Sequence, residues 1–566
     1  MTQRMLGIIF IIVASAMGYY TTTTFSRLAN ILLVNGTVYT LDPSNAVAEA
    51  VAIRGTRIVA VGSSADLTSR FDADRIIDLH GMTLLPGLVD GHAHVLSEGT
   101  RLHNLDFTGT TSSQEVVEVV GKRAHDLRRG EWIYGRGWDQ NDWEVKVFPT
   151  HEALDQAAPD NPTVLTRIDG HAVWVNKAAL DLAGVNASTK EPEGGKIYRD
   201  AGGYPTGILV DNAIDLIDSV IPPLTDQQVD ERIRLALDEC ARLGLTEVHD
   251  MGVDMQTISV YKNIIDRGEC KVRIYAAVSG GGEAWEHYKT AGPEVRYGNG
   301  MLTIRSVKVY MDGALGSRGA ALIDAYADDP GNRGLTRTSE QEMEKICREA
   351  SEKGFQVCTH SIGDRGNNIT LRVYEKILSS LPKDTPSPRW RIEHAQVLQL
   401  SDIPRFAKLG VIPSMQPTHA TSDMYWVESR VGTERVKGAY AWRSLIAAGS
   451  TIVGGSDFPV EGVNPLWGIY AAITRSDKSG YPMDGWYALQ RMTREEAVRA
   501  FSQWAAIGSF EESEKGTIEP GKWADLTVLS RDIMKIPPMD ILTTDVSMTV
   551  LGGKIVFSGP DISPAP

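Results

Sequence analysis

Between residues 84 and 514 the chain alternates short apolar stretches with helical patterns, and this alternation leaves few folds open. The strand candidates are residues 84–94, 164–168, 246–249, 306–310, 356–360, 390–394, 411–416 and 451–457. Helical patterns at 114–129, 226–244, 339–354 and 494–504 lie among them. Strands that alternate with helices call for a parallel sheet, because a parallel neighbour is reached only by a crossover connection. Eight such strands predict an α/β fold, a (β/α)₈ TIM barrel over residues 86–514. The interval from 94 to 246 is too long for an ordinary connection. It predicts an insertion around residues 100–245, covering the barrel mouth.

The two ends have another character. Residues 31–40 read as strand, Asn35-Gly36 hairpin turn and strand, and 48–53, 57–61 and 75–79 continue as short strands. Residues 516–518, 524–529 and 546–557, with Gly552-Gly553 as a turn, read the same way. The ends, 29–85 and 515–560, therefore predict one composite β-sandwich domain, since chain termini usually lie close together. Arg4, the apolar run 6–13 and Ala14-Ser15-Ala16 form a signal-peptide pattern over residues 1–18. That run is well short of the ~20 residues that span a bilayer. The expectation is export to the periplasm or beyond, with membrane anchoring if the signal stays uncleaved. Four cysteines without a Cys-X-X-Cys pair exclude a disulfide framework and leave one disulfide open. A net charge of −15 argues against a nucleic-acid surface, which needs clustered positive charge.

The chemistry gathers at strand ends. His92 and His94 sit at i and i+2, so on a strand both imidazoles face one side and begin a chelate. His360, His394 and Asp457 each close a later strand candidate, and Lys308 sits inside the apolar stretch Ser306-Val307-Lys308-Val309-Tyr310. Singly, each has a plainer reading. A lone histidine is usually a satisfied core residue, Asp457 before Phe458-Pro459 can cap a turn, and Lys308 can snorkel. Jointly they fall where barrel enzymes place catalytic groups, and they form a metal site with hydrolytic potential. An unmodified ammonium repels a divalent ion. A desolvated lysine, however, has a lowered pKa and can take up carbon dioxide as an anionic carbamate able to bridge two metals. His249, His419 and Glu393 are further candidates for orienting or substrate-facing roles. Arg318, Trp138, Trp143, Trp174, Tyr326 and Trp426 line either a pocket or the core.

These residues carry a resemblance. Pro86-Gly87-Leu88-Val89-Asp90-Gly91-His92-Ala93-His94, Gly135-Arg136-Gly137-Trp138-Asp139, Asp169-Gly170-His171, the run from Lys308 to Ser317, His360-Ser361-Ile362-Gly363-Asp364 and Ser456-Asp457 resemble the amidohydrolase superfamily. More narrowly they are similar to its amidohydrolase-3 branch, the YtcJ-like metal-dependent hydrolases. The resemblance implies a distorted barrel with a β-sandwich and one or two divalent metals, usually zinc. It implies that His92, His94 and Asp457 hold one metal, that His360 and His394 hold the other, and that carboxylated Lys308 bridges them. The expected activity is hydrolysis of a C–N bond, amide or N-acyl but not peptide, in a small molecule by a metal-activated hydroxide. Asp457 is the expected proton carrier, and His171 a second polar group at the carbonyl or leaving group. A deaminase, an esterase, a peptide-trimming enzyme or an inactive binding barrel remain alternatives, and a homodimer is left open.

Overall fold

A parallel sheet that curls back on itself carries the candidate site. In the computed structural model, which describes residues 28–560, its strands are β1 (Leu88–Ala93), β2 (Leu245–Val253), β3 (Arg273–Ser279), β4 (Leu302–Tyr310), β5 (Gln356–Ser361), β6 (Arg391–His394), β7 (Ile412–Met415) and β8 (Val453–Gly454). Order along the sheet is order along the chain, and each of these pairings is parallel. The expected signal peptide over 1–18 lies outside the described residues.

The last strand returns to the first. Asp457 N–H donates to the His92 carbonyl at 2.8 Å, and His94 N–H donates to that of Phe458 at 3.0 Å. Two glycines allow this seam. A Cβ on Gly91 would lie 2.2 Å from Val453 Cγ1, and one on Gly455 would lie 2.6 Å from His92 N.

The number of barrel strands is as expected, but one member differs. Residues 164–168 do not enter the barrel, and Arg273–Ser279 takes the third place. The strand Thr163–Arg167 instead pairs antiparallel with Ala172–Val175 across a short turn. Its β-branched, apolar composition is locally that of a barrel strand, and only its partner tells them apart. The helix expected over 494–504 is also interrupted, into Arg494–Ala500 and Gln503–Gly508. At the break the Phe501 carbonyl accepts Val89 N–H of β1 at 2.7 Å, a bond that a continuous helix would claim for itself. Glu340–Lys353 shows the regular case. Ser339 caps it, Met343, Ile346, Cys347 and Ala350 form its buried face, and left-handed Gly354 ends it.

Both chain ends build two further sheets. One orders the strands Arg57–Gly62, Ala50–Arg54, Leu28–Val34 and Asp72–Asp78. The other runs Lys554–Ser558, Val546–Leu551, Leu526–Leu529, Thr83–Pro86, Thr37–Tyr39 and Val47–Ala48. Their facing side chains, among them Ile31, Val51, Leu84, Ile518, Val528 and Val550, share one core. The Asn35-Gly36 hairpin is not formed. The strands on either side of it lie in different sheets, and left-handed Asn35 (φ 57°) turns the chain from one to the other.

Residues Leu96–Leu235 form a separate compact unit. Its six-stranded sheet runs Gly195–Arg199, Pro205–Asp211, Ala172–Val175, Thr163–Arg167, Ile133–Trp138 and Leu105–Asp106. Trp138, Trp143 and Trp174 are the aromatic core of this unit, with ring centroids 5.8–6.4 Å apart, and are fully buried there. Among the described residues no helix is long and apolar enough to cross a membrane. None of the four cysteines is joined in a disulfide.

Candidate metal centre

At the C-terminal ends of β1, β4, β5, β6 and β8 six side chains converge. His92 Nε2 and His94 Nε2 lie 3.5 and 3.2 Å from Asp457 Oδ1. Lys308 Nζ is 3.3 Å from His92 Nε2. The His394 ring stands 4.8 Å from that of His92 and 4.5 Å from that of His360, centroid to centroid. His394 and Asp457 adopt φ of 70° and 64°. Non-glycine residues avoid that region, and strain of this kind concentrates at functional sites.

Three of the four imidazoles are aimed by a partner on the far nitrogen. His92 Nδ1–H donates to Glu393 at 2.6 Å, His94 Nδ1–H to the Met251 carbonyl at 2.9 Å, and His394 Nδ1–H to Gln416 Oε1 at 2.8 Å. Each Nε2 is left with a bare lone pair, the form a metal takes. Burial and then the Lys308 charge lower the His92 pKa to about 4 and that of His360 to about 3, so both rings are neutral at physiological pH. Burial acts to raise the Asp457 pKa, but His92, His94 and His394 together hold it well below the usual carboxylate range. Lys308, 1% exposed, has its pKa lowered by desolvation.

Three polar atoms here are buried without any hydrogen-bond partner: Asp457 Oδ1, His360 Nε2 and His419 Nε2. Such atoms are costly unless a further group satisfies them. The donor set fits a divalent ion. His92, His94 and Asp457, and likewise His394, His419 and Asp457, each offer ligand atoms within 4.8 Å of one another.

Behind His92 runs a buried chain of charges. Arg391 grips Glu393 through Nε and Nη2 at 2.8 and 2.9 Å, and its Nη1 donates to His249 Nδ1 at 2.8 Å. An arginine only donates, so His249 carries its proton on Nε2, which donates to Glu247 at 2.9 Å. Lys515 closes the chain on Glu247 and Glu511. Glu393 thus aims His92 rather than its neighbour His394. Asp90 ties β1 to the turn after β8, accepting from Ser456 Oγ at 2.6 Å. Asp312 accepts backbone N–H groups of Ala321, Ile362 and Gly363 at 2.8–2.9 Å, fixing the loop after β4 to the one after β5.

The remaining sequence candidates have varied surroundings. His171 lies in the unit Leu96–Leu235, on a turn where its side chain is 74% exposed and bonds to Asp211 at 2.8 Å. His249 is interior, and His419 lines a cavity that also takes in His94, His360, His394 and Asp457. Of the aromatic candidates Trp426 lines the cavity, while Tyr326 is core, its hydroxyl on the Ala320 carbonyl. Arg318 pairs with Asp328 at 3.0 Å. Arg391, Asp90, Asp312 and Asp423 were missed. Asp90 shared the strand face of His92 by the same i, i+2 rule, a signal that was available.

Comparison with known proteins agrees with this geometry. The profile described as "Amidohydrolase family" matches residues 75–557. YtcJ of Bacillus subtilis, an amidohydrolase by its description, is 34% identical over 538 residues, covering 92% of this chain and 98% of its own. The N-substituted formamide deformylase of Arthrobacter pascens is 27% identical over 94% of this chain and 99% of its own. A metal-dependent hydrolase of Pyrococcus furiosus, uncharacterized, superposes with TM-score 0.74 at 28% identity over 89% of this chain and all of its own.

Proposed function

The chain belongs to the amidohydrolase family, and from that premise we propose that it hydrolyses an amide or N-acyl C–N bond of a small molecule at a zinc centre. The observation that carries the reading is the set of orphaned, inward-facing donor atoms around Asp457. In this reading His92, His94 and Asp457 would hold one metal, His360 and His394 would hold a second, and Lys308, as a carbamate, would supply a further anionic ligand. Carbamylation would join Lys308 Nζ, as the free amine, to the carbon of carbon dioxide and release a proton; desolvation of Lys308 favours that amine form. The resemblance to a formamide deformylase supports an amide-type bond.

When bound, the metal supplies Lewis acidity, polarising the carbonyl and bringing the pKa of a water toward ~7. The protein's own groups do the rest. Asp457 takes the proton of the attacking water and returns it to the leaving nitrogen. We assign to His419, whose Nε2 is 3.8 Å from Asp457 Oδ2, the carbonyl role that the sequence suggested for His171. Export through residues 1–18 belongs to the same proposal, and N-terminal sequencing of the protein from its native host tests it. A chain beginning at Met1 in the cytoplasm would contradict export.

A panel of N-formyl and N-acyl amides, matched esters and amino-substituted heterocycles tests the chemistry. Amide cleavage that is lost on chelation is expected. Ammonia release from a heterocycle with every amide untouched would overturn the assignment.

A further inference from the structure

Beside the candidate centre lies a cavity of about 400 Å³. Its wall is two-faced. Leu315, Ile362, Trp426 and Val460 offer apolar surface, and Asp423 and Glu461 offer carboxylates. Among the described residues Lys308 is the one lysine or arginine that lines it.

Asp423 is built into this wall. The side-chain N–H of Gln396 at 3.0 Å and the Tyr440 hydroxyl both donate to Oδ2. Tyr440 and Gln396 are themselves buried, and Gln396 also donates to the Tyr440 oxygen at 2.6 Å. Among the described residues Oδ1 has no hydrogen-bond partner, and Asp423 has no ion-pair partner. Its carboxylate is thus held by one oxygen and offers the other. Burial pushes its pKa up and His419 pulls it back only in part, so a cationic partner would offset a remaining cost. Glu461 adds a second charge of the same sign, and accepts from Ser422 Oγ at 2.5 Å.

The nearby cations are engaged elsewhere. Arg318 and Arg430 both bond to Asp328. The Lys478 ammonium stands 3.1 Å over the Trp467 ring. At this wall an anionic substrate group would face the carboxylates of Asp423 and Glu461. A group with a positive nitrogen would gain a charge-assisted hydrogen bond at Oδ1 and the flanking field of Glu461.

We propose that this site selects substrates that carry a protonated amine beside an apolar group, and that Asp423 receives that amine through Oδ1. The inference rests on the hydrolase reading for its reaction, but not for its binding test. That test uses the zinc-loaded full chain at neutral pH, titrated calorimetrically with 2-phenylethylammonium and with its neutral analogue 2-phenylethanol. The ammonium is expected to bind roughly tenfold or more tightly than the alcohol. Asp423→Asn should erase that difference, leave alcohol binding and zinc content unchanged, and keep the fold, since asparagine can still accept from Tyr440. A Glu461→Gln variant should shrink the difference without erasing it. Equal binding of the two probes, no saturable binding of either, or an unchanged preference in Asp423→Asn would overturn the proposal. A matched pair of N-acyl substrates with and without the amine then reports kcat/KM. Failure of both to turn over, with the binding preference intact, would count against the reaction and not against the amine site.

Discussion

Each of the three histidines with a partner on its far nitrogen turns an Nε2 toward the centre, and the energetics of the site follow from that. His92 is held by Glu393, which is held by Arg391, all of them fully buried. Glu393→Ala should therefore weaken metal binding by roughly 10–100-fold, because the His92 tautomer is no longer fixed. Competition against a chromophoric chelator measures this; unchanged affinity would remove Glu393 from the site. His419→Ala should lower kcat by about 10²–10³-fold with little change in KM, the pattern of a donor used in the transition state. Steady-state kinetics on the best amide of the panel will show it. The six converging residues were legible because strand ends display their chemistry in sequence. Glu393 was not. It shares a face with Arg391 two residues earlier, while adjacent His394 reaches the site from a backbone with φ 70°. No local pattern announces such a turn.

At the scale of elements, the seam between β1 and β8 controls whether the strand ends meet at all. On Gly91 a Cβ would lie 2.2 Å from Val453 Cγ1 and 2.7 Å from the Gly454 carbonyl. Gly91→Ala should destabilise by about 1–3 kcal/mol or more, as overpacking does. Gly121 lies within the helix Ser113–Asp126, and its added Cβ would find Ala157 at an ordinary 3.6 Å. Gly121→Ala should stabilise by about 0.5–1 kcal/mol through helix propensity. Denaturant midpoints compare the two, and the opposite signs are the check. Alternation of strand and helix revealed the barrel. It could not separate Thr163–Arg167 from a barrel strand, since both are short and apolar and differ only in their long-range partners. Asn35-Gly36 misled for the same reason. Its turn chemistry is real, but the flanking strands find better partners in two different sheets.

For the whole molecule, the chain ends and the barrel are joined by a buried clamp. Arg273 of β3 grips Asp525 at 2.7 and 3.0 Å, and its guanidinium lies 3.8 Å over the Trp523 ring. Arg273→Met should cost roughly 3–5 kcal/mol, because Asp525 is left charged and unpaired; adding Asp525→Leu should recover part of it. Calorimetric or denaturant unfolding reports both. This clamp was hidden in the sequence, where 252 residues separate its partners. The larger outline was visible in the β character of the two ends. The central claim is that residues far apart in the chain assemble one divalent-metal centre on which hydrolysis depends. Elemental analysis of the purified chain, paired with amide turnover before and after chelation, tests it most directly. At least one zinc-type divalent ion per chain, much of it lost in Lys308→Ala and Asp457→Ala, with turnover abolished by chelator and restored by zinc, is the predicted result. A chain free of stoichiometric metal that still cleaves amides in the presence of chelator would contradict it.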